Sequence, residues 1–427
     1  MKKYFPKLLL FISLSLFCYI FYKSEFFWSG NKRDYYFYYY LFSLFLIFLS
    51  LLFVFNLIIL NNYILIISAS IILSVYLTEI YFNFFHPNLT KNYKITKFNE
   101  IGEGKFDLRS KAQVYNNLKT QNYTITLPPS NFLNDKLVNE SDIFPLSGIS
   151  NKKTLFCNEN GYFAEYFSDK YGFNNPREEW KKENQILLIG DSFVHGACVQ
   201  EGKDIASNLR KFTENGVLNL GYSGNSTLIQ LATIKEYFNE NSSKVILFFF
   251  ENDIEELSYE MKNKTLIKNF NDKNFSQNLK NKKFLIDNKN KQKIKLNFKK
   301  EKNKIYNLIK LEKVRSIINS FLFKDRINLK MIKQFELILK ELQEFIITNK
   351  AQLYVVYLDG YYENKALKRK IKNIANEINL KFIDFKEEIN NKDLNFVEIF
   401  PFKLPGHYNE NGYKILSEII NEKINLN

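Results

Sequence analysis

Histidine, cysteine and proline are scarce in this chain of 427 residues, and each shortage narrows what it can be. Three cysteines, Cys18, Cys157 and Cys198, are too few for a disulfide framework. Cys18 lies in an apolar run. We expect Cys157 and Cys198 to be buried free thiols; a bond between them is the alternative in an oxidising compartment. The only histidines are His86, His195 and His407, which leaves three candidates for an imidazole base. Acidic residues are outnumbered: 45 Asp and Glu face 60 Lys and Arg, for a formal net charge of +15. A basic balance suits nucleic acid or anionic lipid. The lysines are dispersed, however, and no nucleic-acid motif is present, so no nucleic-acid partner is expected. A chain that is 46% hydrophobic and 17% aromatic is not disordered.

What the chain does have is long apolar runs. The first, residues 8–22, follows Lys2, Lys3 and Lys7. No small-x-small cleavage site comes after it, so it reads as an uncleaved helix rather than a signal peptide. The second, residues 35–60, carries no charge, and the third, residues 63–82, carries only Glu79 near its end. The second and third are long enough to span a bilayer, and the first is marginal. Trp28 and the tyrosines of 35–40 resemble an interfacial aromatic belt. Residues 1–85 therefore predict a membrane anchor of about three helices, with the lipid bilayer as partner. The lysines before the first run favour a cytoplasmic N-terminus, which would put everything after the third run outside the cytoplasm. Lys32, Arg33, Lys91, Lys94 and Lys97 weaken that asymmetry.

Residues 86–180 contain five prolines and no clear helical period, and read as an irregular segment of loops and short strands. From residue 185 strands and helices alternate: strands at 185–189, 217–220, 244–250, 352–358 and 381–385, and helices at 204–214, 227–239, 331–349, 364–378 and 412–421. Such alternation predicts a mostly parallel sheet covered on both faces, an α/β domain over 181–427. Residues 258–326 interrupt it. They are rich in Lys and Asn, lack proline, and read as a low-complexity, solvated insertion.

Polar residues gather at the strand ends. The apolar run 186–189 stops at Gly190 and is followed by Asp191 and Ser192. Ser192 then lies at the carboxyl edge of the sheet and at a helix start, where backbone N–H groups favour a developing negative charge. Gly221 and Gly224 follow the second strand, and Asn252 and Asp253 follow the third. Acyl transfer needs a nucleophile, a base and donors for the oxyanion. Ser192 can be the nucleophile; the N–H groups of Ser192 and Gly224 and the Asn252 amide can be the donors. Asp191 would support the turn. His195 is three residues beyond Ser192 and cannot easily point back at it, so His407, just before the closing helix, is the preferred base.

Gly190-Asp191-Ser192, then Gly224, then Asn252-Asp253, then His407 resemble, in that order, the SGNH (GDSL-type) hydrolases. The resemblance runs from about residue 185 to the C-terminus. It implies a flavodoxin-like sheet, ester or acyl chemistry through Ser192 and His407, oxyanion positions at Ser192, Gly224 and Asn252, and no metal or cofactor. The stretch 168–176 also resembles what precedes this domain in membrane-anchored bacterial members. Two positions depart from the pattern. Leu404 stands where the family has an Asp three residues before the histidine; Asp393 and Glu398 are the nearest upstream acids, and a Ser-His dyad is the alternative. Glu251 stands where a glycine is usual, and its side chain could crowd the cleft or bond to it. The expected function is a serine esterase or deacylase in the bacterial cytoplasmic membrane, facing outward, acting on an acylated envelope glycan or lipid. An O-acyltransferase of the same fold that modifies a surface polysaccharide, and a non-catalytic envelope scaffold or glycan-binding protein, are the alternatives. Three spans are few for an acyl-transport channel, which favours hydrolysis.

Overall fold

A computed structural model describes residues 4–30, 32–55, 57, 62–84, 89–101, 104–133, 143–300, 308–322 and 328–426. His86 lies outside them. Two compact units are present: Met1–Leu89 with Glu301–Lys330, and Thr90–Lys300 with Met331–Asn427.

The first unit opens with α1 (Phe5–Phe21), continued to Phe27 by a π-helical stretch, then α2 (Arg33–Val54) and α3 (Asn62–Phe84). All three are long and apolar enough to cross a membrane. Their apolar side chains face outward: Phe11, Ile66 and Leu73 are each about 60% exposed or more, a surface suited to lipid rather than water. Between α1 and α2 the buried hydroxyls of Ser13 and Ser50 meet at 3.3 Å. Small polar residues of this kind let spanning helices approach closely.

The second unit begins with α4 (Leu89–Ile101) and α5 (Lys111–Leu118). Neither was legible as a period, because α4 has little apolar stripe and α5 is two turns long. A capping box marks the start of α5: Ser110 Oγ accepts the Gln113 N–H, and the Gln113 side chain accepts the Ser110 N–H at 2.7 Å. Strands β1 (Tyr123–Ile125), β2 (Lys153–Leu155) and β3 (Glu165–Phe167) form a small sheet in that order. Residues read as an irregular segment thus pack into the same unit as the main sheet.

The main sheet holds β4 (Gln185–Ile189), β5 (Val217–Asn219), β6 (Ser242–Phe249), β7 (Gln352–Tyr357) and β8 (Lys381–Asp384). Every pairing is parallel, and the spatial order β5-β4-β6-β7-β8 is the 2-1-3-4-5 order of flavodoxin-like sheets. Side chains alternate across it. Ile186, Leu188, Ile246, Phe248 and Val356 belong to one fully buried cluster with Leu416 and Ile420 of the closing helix. Phe249, on the opposite face, meets Phe335 at 5.0 Å. This two-sided burial is why the strands read as continuous apolar runs.

Between the strands lie α6 (Ser192–His195), α7 (Ile205–Leu209), α8 (Thr227–Tyr237), α9 (Asp253–Glu260), α10 (Lys264–Asn271) and α11 (Lys283–Lys300). The helix read at 204–214 is only α7. After it come α12 (Glu312–Leu322), α13 (Leu329–Thr348), α14 (Lys365–Glu377), α15 (Phe385–Asn391) and α16 (Glu410–Ile424). The insertion is therefore not a solvated arm. Leu266, Leu279, Ile286 and Ile294 are buried in the second unit, and α12 belongs to the first. A Lys/Asn-rich composition hides sparse apolar positions that still fall on one helical face. Glu79, the lone charge of the third run, has a partner here: its carboxylate accepts the N–H groups of Lys313 at 3.0 Å and Val314 at 2.8 Å, at the start of α12. A carboxylate at a helix N-terminus satisfies donors that the helix cannot.

Candidate active site

In the 2-1-3-4-5 order the crevice lies where the chain switches direction, beside the first strand, β4. Ser192 follows β4, Gly224 follows β5, and Asn252 follows β6, so the three sit beyond the carboxyl ends of three adjacent strands. The buried Asp191 caps α6, its carboxylate accepting the Phe193 N–H at 2.9 Å. Helix α6 is a single turn that ends at Gly196 in the left-handed conformation (φ +84°). The dipole expected at Ser192 is thus that of one turn, and side chains must supply the rest of the electrostatics.

Ser192 Oγ lies 2.8 Å from His407 Nε2, and also 3.2 Å from Asp191 Oδ2. On the far side of the ring, His407 Nδ1 is 3.0 Å from Glu159 Oε1, while Glu159 Oε2 accepts the His407 backbone N–H at 2.8 Å. A carboxylate only accepts, so the imidazole proton belongs on Nδ1 and the lone pair of Nε2 faces the serine. Hydroxyl, imidazole and carboxylate stand in line.

Glu159 was missed in the sequence. Leu404 leaves the usual acid position empty, and neither upstream candidate fills it: Glu398 pairs with Lys403 at 2.6 Å, and Asp393 sits in a left-handed turn after α15 (φ +54°). The acid comes instead from the segment ahead of the sheet. Its loop is tied down on both sides. Asn158 donates to the Asp107 carbonyl at 3.0 Å, and Asn160 donates to the Cys198 carbonyl at 2.7 Å. Cys157 and Cys198 form a disulfide, which corrects the expectation of free thiols. The missed signal was that pair: a bond to Cys198, six residues after Ser192, carries Glu159 to the serine.

Electrostatics follow from this packing. Burial favours the neutral Glu159, but the bonds and charge of His407 and the charge of Lys94, 3.5 Å away, prevail and hold its pKa near 2. Burial likewise opposes a charged His407; the hydrogen bond and charge of Glu159, helped by Asp191, outweigh it and raise the imidazole pKa above its ordinary value. Glu159 therefore adds stability that is complete above the ordinary carboxylate range and is lost as pH falls through about 2. The His407 contribution is present below the ordinary imidazole range and is lost as pH rises through its raised pKa. Gly406 makes room for the acid: a Cβ there would lie 2.3 Å from Glu159 Oε2.

His195 serves packing. It is fully buried, its ring tilted against those of Phe156 and Tyr222, with Nδ1 accepting the Ser223 N–H at 3.2 Å and Nε2 2.8 Å from the Tyr166 hydroxyl. Burial and the charge of Lys111 push its pKa down to about 3, so it stays neutral. Gly224 takes a left-handed backbone (φ +72°), and a Cβ there would lie 2.8 Å from Ser130 Oγ. Asn252 opens α9, its amide donating to Glu256 Oε1 at 3.2 Å. The Glu251 carboxylate lies beside Gly360, where a Cβ would be 3.3 Å from Glu251 Oε1. The ligand atoms of Glu159, His407 and Cys198 lie within 4.8 Å of one another. With its sulfur in the disulfide, Cys198 has no thiolate to offer a metal.

No family model matches the chain, and no curated protein matches it. Solved structures do. The structure is similar to a lipolytic G-D-S-L family member from Veillonella parvula, at 15% identity and a TM-score of 0.34, covering 56% of this chain and 98% of the other. It is similar to another from Desulfitobacterium hafniense, at 13% identity and a TM-score of 0.33, covering 56% and 99%. It is also similar to an acetyl-xylooligosaccharide esterase from Geobacillus, at 14% identity and a TM-score of 0.34, covering 57% and 94%. These likenesses are distant, and the chain's own side chains must carry the chemistry.

Two outcomes are expected. Glu159→Gln removes the charge that raises His407, so the acid limb of the kcat/KM profile should move to lower pH while kcat falls by about 10²–10⁴; Gly406→Ala should lower kcat in the same direction by displacing the acid. A limb that stays in place would show that Glu159 does not bear on the base. Separately, the Cys157→Ser/Cys198→Ser pair should fold yet lose turnover, because the Glu159 loop is released. Unchanged kcat would show that the two asparagine contacts suffice.

Proposed function

We propose that this chain is a membrane-anchored serine esterase or deacylase of the SGNH (GDSL-type) kind, acting on an acylated glycan or lipid of a bacterial cell envelope. The observation that carries the reading is the line Glu159–His407–Ser192, with its 3.0 Å and 2.8 Å links. In this reading His407 Nε2 takes the hydroxyl proton as Ser192 Oγ adds to the ester carbonyl. Negative charge on the carbonyl oxygen meets the N–H groups of Ser192 and Gly224 and the Asn252 amide. Collapse expels the alcohol, which leaves with the proton from His407. Water, activated in the same way, then releases the acid and restores the serine. Glu159 orients the ring and stabilises the imidazolium, the part an aspartate plays in other triads.

The three apolar N-terminal helices suggest membrane association. For the membrane and side, we propose the cytoplasmic membrane with the second unit outside. Two features favour this: lysines at positions 2, 3 and 7, and a Cys157–Cys198 disulfide, which persists in oxidising compartments. Gly224 also lines a cavity of about 230 Å³ with Ser130, Glu256, Tyr259 and Glu260.

Full-length protein in neutral detergent should label with a fluorophosphonate probe, and both Ser192→Ala and His407→Ala should abolish labelling while the protein still melts cooperatively. Absence of labelling in folded wild type would overturn the reading. Where labelling holds, turnover of an acetyl ester with and without excess glycan acceptor separates hydrolysis from transfer.

A further inference from the structure

A second cavity, of about 270 Å³, lies within the second unit and shares no lining residue with the cavity beside Gly224. One wall is built from α5, β1 and the Ile149–Lys152 turn; the other is α11. Its charge is of one sign. Lys119 and Lys152 line the first wall, Lys291 and Lys295 the second, and among the described residues no carboxylate lines either. On α11, Lys291, Ile294 and Lys295 share a face because residues three and four apart are neighbours. Ile294, buried, forms part of the floor, and the two lysines stand on either side of it. Tyr115 of α5 and Lys119, which caps the C-terminus of that helix, are likewise four apart.

Among the described residues, no carboxylate pairs with these ammonium groups. Lys119 donates to Asn116 Oδ1 at 3.2 Å and Lys152 donates to Asn122 Oδ1, both neutral acceptors. Among the described residues, Lys291 and Lys295 have no ion pair. The acids nearby are engaged elsewhere: Asp287, one turn before Lys291, accepts the Ser150 N–H and O–H, each at 2.8 Å, and Glu165 accepts the Tyr123 hydroxyl at 2.9 Å. By contrast, Lys368 of the same unit is surrounded by Asp359, Glu363 and Asp384. Lys119, Lys291 and Lys295 are exposed, so water screens their mutual repulsion, while an anion placed among the four lysines meets several ammonium groups at once.

We propose that this cavity binds a phosphate-bearing anion. Lysines bind phosphate as movable point charges with several donors each. The rings of Tyr115 and Tyr123 line the same cavity and offer a surface for the sugar or glycerol that carries the phosphate. The volume holds a headgroup-sized moiety rather than a nucleic-acid strand. A lipid headgroup and a soluble or glycan-borne phosphodiester share this chemistry.

The test uses the full chain. In neutral detergent, inorganic pyrophosphate titrated by calorimetry should bind saturably, with affinity that falls as salt rises. Lys291→Ala/Lys295→Ala should weaken it at least tenfold, and so should Lys119→Ala from the opposite wall. Lys291→Arg/Lys295→Arg should retain binding. Lys365→Ala/Arg369→Ala on α14 removes the same charge elsewhere and should bind like wild type. Unchanged fluorophosphonate labelling of each variant shows that it is folded. In phosphatidylcholine nanodiscs, a rise in Tm on adding phosphatidylglycerol that the Lys291/Lys295 alanine pair lacks assigns the lipid headgroup; pyrophosphate binding without that rise assigns the soluble ligand. If neither probe acts on wild type, or if the α14 control loses as much as the cavity variants, the proposal fails.

Discussion

The hydrogen bond between Glu159 and His407 is the constraint around which this molecule is arranged. A carboxylate and an imidazole held together with little water must each find compensation for lost hydration. Glu159 finds it in the ring N–H, in the His407 backbone N–H and in the charge of Lys94. That solution draws on three distant parts of the chain. Helix α4 supplies Lys94, the loop after β2 supplies Glu159, and the turn before α16 supplies His407. Gly406 must lack a side chain for them to meet. The disulfide to Cys198 and the Asn160 contact then fasten the acid loop to the same turn that presents Ser192.

The segment ahead of the sheet therefore belongs to the same unit as the sheet. It supplies the carboxylate that meets His407, it covers Gly224 with Ser130, and it forms one wall of the lysine-lined cavity. The insertion supplies the other wall through α11, then provides α12 to the helical unit, where Glu79 caps it. A charge inside an apolar helix is costly in lipid unless it is paired. Here the pairing is with backbone N–H groups of a helix more than two hundred residues away.

Much of this was open to reading in order along the chain. Apolar runs of spanning length, strands as unbroken apolar stretches and their alternation with helices are local patterns, and each follows from burial of a periodic face. Ser192 and His407 stood out because one ends a buried strand and the other is one of three histidines. The short helices α4 and α5 and the packed part of the insertion did not stand out: their apolar positions are few among lysine and asparagine, and composition masked them.

The sequence by itself determined the anchor-like helices, the parallel sheet and the two residues at its rim, because hydrophobic periodicity and strand-end chemistry act over a few residues. Only the tertiary structure decided which acid faces His407, whether the two cysteines meet, and what Glu79 caps. Those are contacts between loops and helix ends far apart in sequence. A glutamate between two asparagines carries no local mark of its partner; it meets the His407 ring only when a disulfide, a missing Cβ at Gly406 and a nearby lysine bring it there and keep it charged.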